Sequence, residues 1–468
     1  LAWFGVFDQA LPWPAEHNLD VTTTNAGEAT QVNWHSALTR AEFDVQMDRI
    51  HAAIAAGEFY QVNYTAPLRG DFVGNASALF ERLHRAQPKG YAAFIDSGGE
   101  QVLSVSPELF FDWKDNQILA RPMKGTAPRG TDDVADAALA NGLRQSPKER
   151  AENVMIVDLL RNDLSRIAQP HTVKVPTLFA VQTLPTVLQM VSDVTASTRP
   201  GTTLCDVFTA LFPCGSITGA PKVRAMQMIR ALEPSPRGVY CGAIGVLRPG
   251  GHATFNVAIR TVTLTGRRAT CGIGSGITSD ATAPAEWQEW QHKRRFLDQA
   301  SHSFNLLETL RLEGGVFQHL NLHLARLQSA ARHFGYPFDE SRVRNALQAL
   351  DWPQASPSPA NPQPGAIIAP ASSPAWRVRL QLDAHGTPLT EKFALNSTPA
   401  LVNIALSATY FESSDSEFTR FKTSRRDHYE AFAPRDPAVF DTLLYNRRGE
   451  LTECTRGNIA LLLDGRWV

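Results

Sequence analysis

At about 150 residues per domain, 468 residues leave room for two or three domains, and 43% apolar with 19% charged side chains excludes disorder along the whole chain. Forty-five basic against 46 acidic residues give a formal net charge of -1, so the basic excess of a nucleic-acid-binding protein is missing, and no apolar run reaches the roughly 18 residues of a membrane span. Five scattered cysteines (Cys205, Cys214, Cys241, Cys271, Cys454) without CxxC spacing predict neither a zinc site nor a disulfide framework, and suit a reducing cytoplasm. The chain opens Leu1-Ala-Trp-Phe-Gly, which is no signal peptide and, lacking an initiator Met, reads as a fragment. Thr39 with Glu42 forms a capping-box pattern, Phe43, Met47, Ile50 and Ile54 follow at helical spacing, and Gly57 is the stop. Strands are predicted at 101–105 and 109–113. Ser146-Pro147-Lys148-Glu149 starts a second helix with Glu152, Met155, Ile156, Leu159 and Leu160 on one face. Pro221 opens a third helix, strands follow at 239–247, 253–264 and 269–273, and Pro284 opens a fourth helix with Glu286, Glu289, Trp290 and Lys293 on one face. A junction lies at 299–303, a strand pattern begins at Phe304, and 351–374 is a loop rich in Pro, Ala and Ser. Mixed blocks without βαβ alternation predict an α+β architecture with antiparallel sheets. The expected domains are 1–300 and 301–468.

Several residues could carry chemistry, each with a plain structural counterpart. Glu152 lies on an apolar stripe, where a carboxylate needs a cation: either a metal or an arginine such as Arg161. Glu286 and Glu289 share a helix face and suit a hard cation such as magnesium, or form a solvated face with a Glu289–Lys293 pair. The stretch Gly215-Ser-Ile-Thr-Gly-Ala-Pro-Lys222 runs into a helix start, where backbone N–H groups favour an anion. Its spacing is not that of a phosphate-binding P-loop, so it suits a carboxylate, or it is an ordinary capped turn. Arg121, Lys124 and Arg129 crowd within nine residues, an arrangement that makes a lysine nucleophilic or merely marks a basic turn. Lys422 and Glu453 have the residue types that hold pyridoxal phosphate, or are a surface lysine and glutamate.

Taken together, residues 40–297 resemble the chorismate-utilising enzymes, the anthranilate, aminodeoxychorismate, isochorismate and salicylate synthases. The resemblance rests on Gln61-Val-Asn, Ser106-Pro-Glu108, Lys124-Gly-Thr, the run from Ala151 to Asp163, Gly215 to Lys222, Ala258-Ile-Arg260-Thr and Gly272-Ile-Gly-Ser-Gly276, in order. It implies a two-sheet antiparallel sandwich wrapped by helices, with magnesium held by Glu152 and Glu289, assisted by Glu286, against the ring carboxylate of chorismate. It also implies that Gly215, Ser216, Thr218, Gly219, Gly274, Ser275 and Gly276 orient carboxylates, with Lys222, Arg260, Gln61 and Gln189 in the same pocket. Glu108 would be the general acid on the departing 4-hydroxyl. Lys124, where anthranilate synthases carry Ala, would attack the ring carbon beside the carboxylate-bearing carbon. Ammonia, from a glutamine amidotransferase subunit or free, would then give 4-amino-4-deoxychorismate for para-aminobenzoate and folate. Gln61 stands where the water-using members have a lysine. Gln189 replaces a customary His, Val246 a Tyr and Cys214 a Gly, and the N-terminal region of the family looks shortened.

From Phe304 the chain resembles the branched-chain aminotransferase and aminodeoxychorismate lyase family, through Leu307-Glu-Thr, His323-Leu-Ala-Arg326-Leu, the Lys422 string, Leu451-Thr-Glu453-Cys and Gly457-Asn. That resemblance implies a class IV pyridoxal-phosphate fold. Lys422 would form the aldimine, Glu453 would face the pyridine nitrogen and Arg326 would reach the phosphate. Because the sequence stops at Val468, the expectation is a C-terminally truncated half that binds the cofactor poorly or not at all. A lyase behind the synthase would release pyruvate and para-aminobenzoate. The competing readings are an anthranilate-forming enzyme, a water-using synthase and a non-catalytic chorismate-binding protein. No nucleic-acid or membrane partner is expected.

Overall fold

The computed structural model describes residues 2–8, 30–130, 133–184, 187–350, 375–395, 401–463 and 465–467; the Pro-rich stretch 351–374 lies outside them. The chain forms two compact units, Leu1–His302 and Ser303–Val468. In the first unit two antiparallel sheets are built from non-consecutive strands. One runs Gln31–Ser36, Gln61–Val73, Arg268–Ile277, Thr261–Thr265, Gln101–Ser106, Tyr91–Asp96, with Gly219–Ala220 paired beside Gln61–Val73. The other runs Ala243–Arg248, His252–Val257, Leu109–Lys114, Gln117–Arg121, Val187–Ser197, Met123–Pro128, with Lys174–Thr183 also on Val187–Ser197.

Each sheet has its own core. Phe43 and Met47 of helix Arg40–Ala55, Leu79 of Ala76–Ala86 and Trp290 and Leu297 of Ala283–Ser301 pack with Val62, Val262 and Ile277 of the first sheet. Ile156 and Leu160 of helix Pro147–Ser165 and Val207 of Leu204–Leu211 pack with Phe111, Val194 and Phe255 of the second. Each such side chain contributes about 1.5–3 kcal/mol by leaving water, so the helices are held by their apolar stripes. The α+β, antiparallel character read from the sequence is the observed one.

The helix starts coincide with their signals. Thr39 and Glu42 close a reciprocal capping box, Ser146 caps Pro147–Ser165, and Gly57, at φ +75°, follows the first helix. Two strand predictions are corrected. Residues 239–242 form a turn with Cys241 at φ +63°, and the strand is Ala243–Arg248. The run 253–264 is two strands, His252–Val257 and Thr261–Thr265, broken where Arg260 adopts φ +48°. Continuous apolar character cannot reveal that break, because a left-handed arginine is imposed by its surroundings.

In the second unit, strands Val316–Phe317, Leu306–Glu313, Trp376–Leu382 and Pro388–Ala394 form an antiparallel sheet. Helices Leu320–Phe334 and Glu340–Gln348 contribute Leu327, Ala331 and Val343 to a core with Leu310, Val378 and Leu380. A smaller sheet joins Ile404–Leu406, parallel, and Leu451–Cys454, antiparallel, to Asp441–Tyr445. Among the described residues no helix is long and apolar enough to cross a membrane.

Candidate active site

Lys124 owes its position to an irregular strand edge. Met123–Pro128 pairs with Val187–Ser197, but the register shifts between Met123 and Thr126, and Gly125 sits at φ +93°. Such a bulge re-aims the side chain it carries. Gln189 pins it, donating from Nε2 to the Gly125 carbonyl at 2.7 Å and accepting from Thr126 Oγ1 at 2.9 Å. Gln189, expected among the substrate contacts, uses both ends of its amide on the Lys124 strand. Lys124 and Gln61 converge on Gly276. A methyl group there would come within 2.1 Å of Gln61 Nε2 and 3.0 Å of Lys124 Nζ, so any larger residue would have to displace these side-chain ends. Gln61 is fully buried with neither amide atom hydrogen-bonded. Glu108 is buried, and its Oε1 has no partner. Burial pushes its carboxyl up, against the lowering effects of the Ser216 hydroxyl and Lys124.

The cations expected to crowd Lys124 are instead neutralised. Arg121 makes a two-pronged pair with Asp193 at 2.6 and 3.1 Å, and Arg129 pairs with Asp136. Lys222, expected among the substrate contacts, is held by Asp163 at 2.5 Å and by the Leu211 carbonyl at 3.2 Å. Thr218 donates to the Cys214 carbonyl at 3.0 Å and so shapes the 215–219 loop. Gly219, at φ +138°, lets that loop pass the backbone of Gln61, where a Cβ would lie 2.1 Å from the Gln61 carbonyl oxygen.

Four carboxylates share one electrostatic neighbourhood: Glu149 and Glu152 of helix Pro147–Ser165, and Glu286 and Glu289 of Ala283–Ser301. Burial raises Glu149, Glu152 and Glu286, and neighbouring carboxylates raise them further. Burial also pushes Glu289 upward, but Lys293, Lys124 and Lys148 outweigh it and hold Glu289 below its ordinary value. Lys293 bonds Glu289 at 2.7 Å and the Gly274 carbonyl at 3.0 Å. Ser275 donates to Glu286 at 2.5 Å and accepts from the Trp290 indole at 2.9 Å, so it orients a carboxylate of the protein. Arg161 pairs with Asp158 and leaves Glu152 to Lys124 and Lys148. Among the described residues no three or more His, Cys, Asp or Glu side chains close into a metal cage. An open set of carboxylates fits magnesium, which takes one or two protein carboxylates and completes its shell with water and substrate oxygens.

Arg260 supplies the opposite charge. It donates to Gln87 Oε1, and burial lowers its guanidinium to about 10 with no carboxylate to counter the loss of water. A buried cation without a carboxylate partner is the kind of group that an anionic ligand can satisfy. Glu149 was missed by sequence reasoning, because its spacing from Ser146 reads as a helix cap.

In the second unit Lys422 Nζ donates to Thr309 Oγ1 at 3.0 Å, and burial lowers its ammonium group against the opposing effect of Glu308. Arg326 forks onto Glu308 at 2.7 and 2.5 Å, and His323 Nδ1 lies 2.7 Å from the same carboxylate. Glu453 accepts from Tyr429 at 2.6 Å and is raised by burial. Arg426 acts electrostatically on both Lys422 and Glu453. Glu308 is the buried member that the sequence had signalled only as part of Leu307-Glu-Thr.

Residues 9–299 match the family described as chorismate binding enzyme, and residues 305–468 match class IV amino-transferases. Aminodeoxychorismate synthase component 1 of Salmonella typhimurium is 43% identical over 256 residues, covering 55% of this chain and 56% of the relative. Anthranilate synthase component 1 of Streptomyces coelicolor is 37% identical over 273 residues, 58% of this chain and 53% of that one. The chain thus spans about half the length of these curated relatives. The crystal structure of anthranilate synthase component I from Streptococcus pneumoniae superposes with a TM-score of 0.53 at 31% identity, over 57% of this chain and 60% of that one.

Proposed function

Since the chain belongs to the chorismate binding enzyme family, we propose that it aminates chorismate to 4-amino-4-deoxychorismate, the activity in the name of its Salmonella relative. The observation that carries this reading is an amine, Lys124 Nζ, carried on a bulge beside Gln61 and Gly276, within electrostatic reach of Glu108 and the carboxylates. Glu152 and Glu289, with Glu149 and Glu286 behind them, would hold magnesium, which when bound supplies positive charge to the ring carboxylate. Arg260 and the backbone of 215–219 receive the second carboxylate. Lys124 attacks the carbon beside the carboxylate-bearing carbon, both ring double bonds shift in turn towards the 4-position, and the 4-hydroxyl leaves as water with the Glu108 proton. Ammonia then adds at the 4-position, the electrons return, and the lysine leaves with a proton. Ammonia comes from a glutamine amidotransferase partner or from solution. Five free cysteines accord with a cytoplasmic setting.

The second unit carries an amine, an acid and a guanidinium that suit pyridoxal phosphate: Lys422 for the aldehyde, Glu453 for the pyridine nitrogen and Arg326 for the phosphate. Bound there, the cofactor would supply an electron sink for expelling pyruvate from the first unit's product. Tyr429 holds Glu453, and Glu308 with His323 holds Arg326.

The test is a product assay with chorismate, magnesium and ammonium, without added pyridoxal phosphate. Accumulation of 4-amino-4-deoxychorismate is the expected outcome, and anthranilate would overturn the assignment of Lys124. Magnesium affinity is expected to fall with pH. Glu149, Glu152 and Glu286 are raised, so as pH drops they take up protons before ordinary carboxylates do and cease to be ligands. Calorimetric titration of magnesium over a series of falling pH values checks the trend. A pH-independent affinity would remove these carboxylates from the metal site.

A further inference from the structure

One heavily bonded ion pair of the first unit has no role in the site as assigned so far, although it reaches the backbone of the 215–219 loop. Glu233, at the end of helix Lys222–Leu232, and Arg237 are both largely buried, with side-chain exposures of 7% and 15%. Glu233 Oε1 accepts from the Thr65 backbone N–H at 3.1 Å, from the Thr65 hydroxyl at 2.9 Å and from Arg237 Nη2 at 2.6 Å. Glu233 Oε2 accepts from Arg237 Nε at 2.8 Å. The rest of the guanidinium reaches out to backbone: Nη1 donates to the Ile217 carbonyl and Nη2 to the Asn63 carbonyl, both at 2.8 Å.

These contacts join two segments assigned above to the site, the 215–219 loop and the strand that pairs with 274–276. Ile217 lies within the 215–219 loop, and Asn63 and Thr65 lie on the strand Gln61–Val73. In the antiparallel register Asn63 is opposite Gly276, Tyr64 opposite Ser275 and Thr65 opposite Gly274. One backbone bond, Asn63 N–H to the Thr218 carbonyl at 2.8 Å, links loop and strand directly. The planar fork of an arginine can hold a carboxylate and two carbonyls at once, which the single ammonium of a lysine cannot do with the same geometry.

We propose that Glu233 and Arg237 are positioning residues that hold the 215–219 loop in register with the 274–276 strand, so that both present their backbone to the carboxylates of the substrate. The inference rests on the chorismate reading above. A pair serving stability alone has a different signature. Replacing a buried ion pair by apolar side chains of similar size is often neutral or stabilising, whereas removing one partner is costly. The discriminating variant therefore carries Glu233→Met together with Arg237→Met, which keeps the volume filled and removes the fork. Arg237→Lys is its companion, keeping the charge.

Steady-state kinetics with chorismate and ammonium, thermal unfolding, and equilibrium binding of chorismate are measured on the full chain with magnesium. The double variant is expected to unfold near the wild-type temperature yet show a KM and Kd for chorismate raised about tenfold or more, with the KM for ammonia unchanged. Arg237→Lys is expected to fall between the two. Wild-type chorismate affinity in a folded double variant, or an equal rise in both KM values, overturns the clamp. If the double variant does not fold, a wild-type KM for chorismate in Arg237→Lys overturns it and a selective rise supports it. Wild-type protein that binds chorismate but yields another product defeats the product assignment and leaves this comparison in force. Wild-type protein that neither binds nor consumes chorismate overturns both.

Discussion

Glu108→Gln is expected to lower chorismate turnover roughly 10²–10⁴-fold, the range for loss of a positioned general acid. The amide matches the carboxylic acid in shape but has no acidic proton to give the departing hydroxyl. The wild-type pH profile carries the same signature. Burial raises the Glu108 carboxyl, so its protonated form persists above the ordinary carboxylate range, and the rate falls as pH climbs through the raised value. The protons taken up by Glu149, Glu152 and Glu286 supply the limb on the acid side. Profiles of kcat/KM for wild type and variant decide the matter: the variant should lack the alkaline limb assigned to Glu108. An unchanged rate, or an unchanged limb in a slow variant, would take the proton donation away from this residue.

Lys124→Met should cost amination at least about a hundredfold, equivalent to about 2.7 kcal/mol of barrier. Lys124→Arg should fare no better, although it keeps the charge, because a guanidinium is always protonated and does not attack. A second readout is independent of rate. Wild-type protein given chorismate and magnesium without ammonia should gain the mass of chorismate less one water, and proteolysis should place the adduct on the peptide containing Lys124. Neither variant should gain it. A variant that turns over normally, or an adduct elsewhere in the chain, would end the covalent route through this lysine.

What could be read from the sequence, and what could not, divides by distance along the chain. Thr39, Ser146 and Pro284 announce helix starts because capping is local chemistry. Gln61, Glu108, Lys124, Glu152 and Gly276 could be singled out by motif, and the fold brings them to one neighbourhood. The uses of Lys222 and Gln189 were not legible. Lys222 finds Asp163 across 59 positions, and Gln189 finds Gly125 across 64, so neither partner is implied by local pattern. Glu149 was hidden for the opposite reason: a local explanation as a helix-cap residue was already sufficient. The break at Arg260 was invisible because nothing in Ala258-Ile-Arg260 disfavours a strand, while the fold holds Arg260 at φ +48°.

Glu108 and Lys124 flank one hairpin, Leu109–Lys114 and Gln117–Arg121, whose tip is the two-residue turn Asp115-Asn116 with both residues at positive φ, +51° and +59°. Such a turn fixes the register of the arms from Lys114–Gln117 to Asp112–Leu119, and an irregularity between Leu109 and Asp112 shifts it by one residue before Glu108 is reached. The gap between acid and amine is therefore a length measured in residues, like the span of a calliper set by its pivot. The residue at 124 can be exchanged without disturbing the instrument. Adding or deleting one residue in either arm would turn one of the two jaws to the opposite side of the sheet. Substitution at 124 leaves this spacing alone, whereas a further insertion or deletion in the 109–121 hairpin changes it.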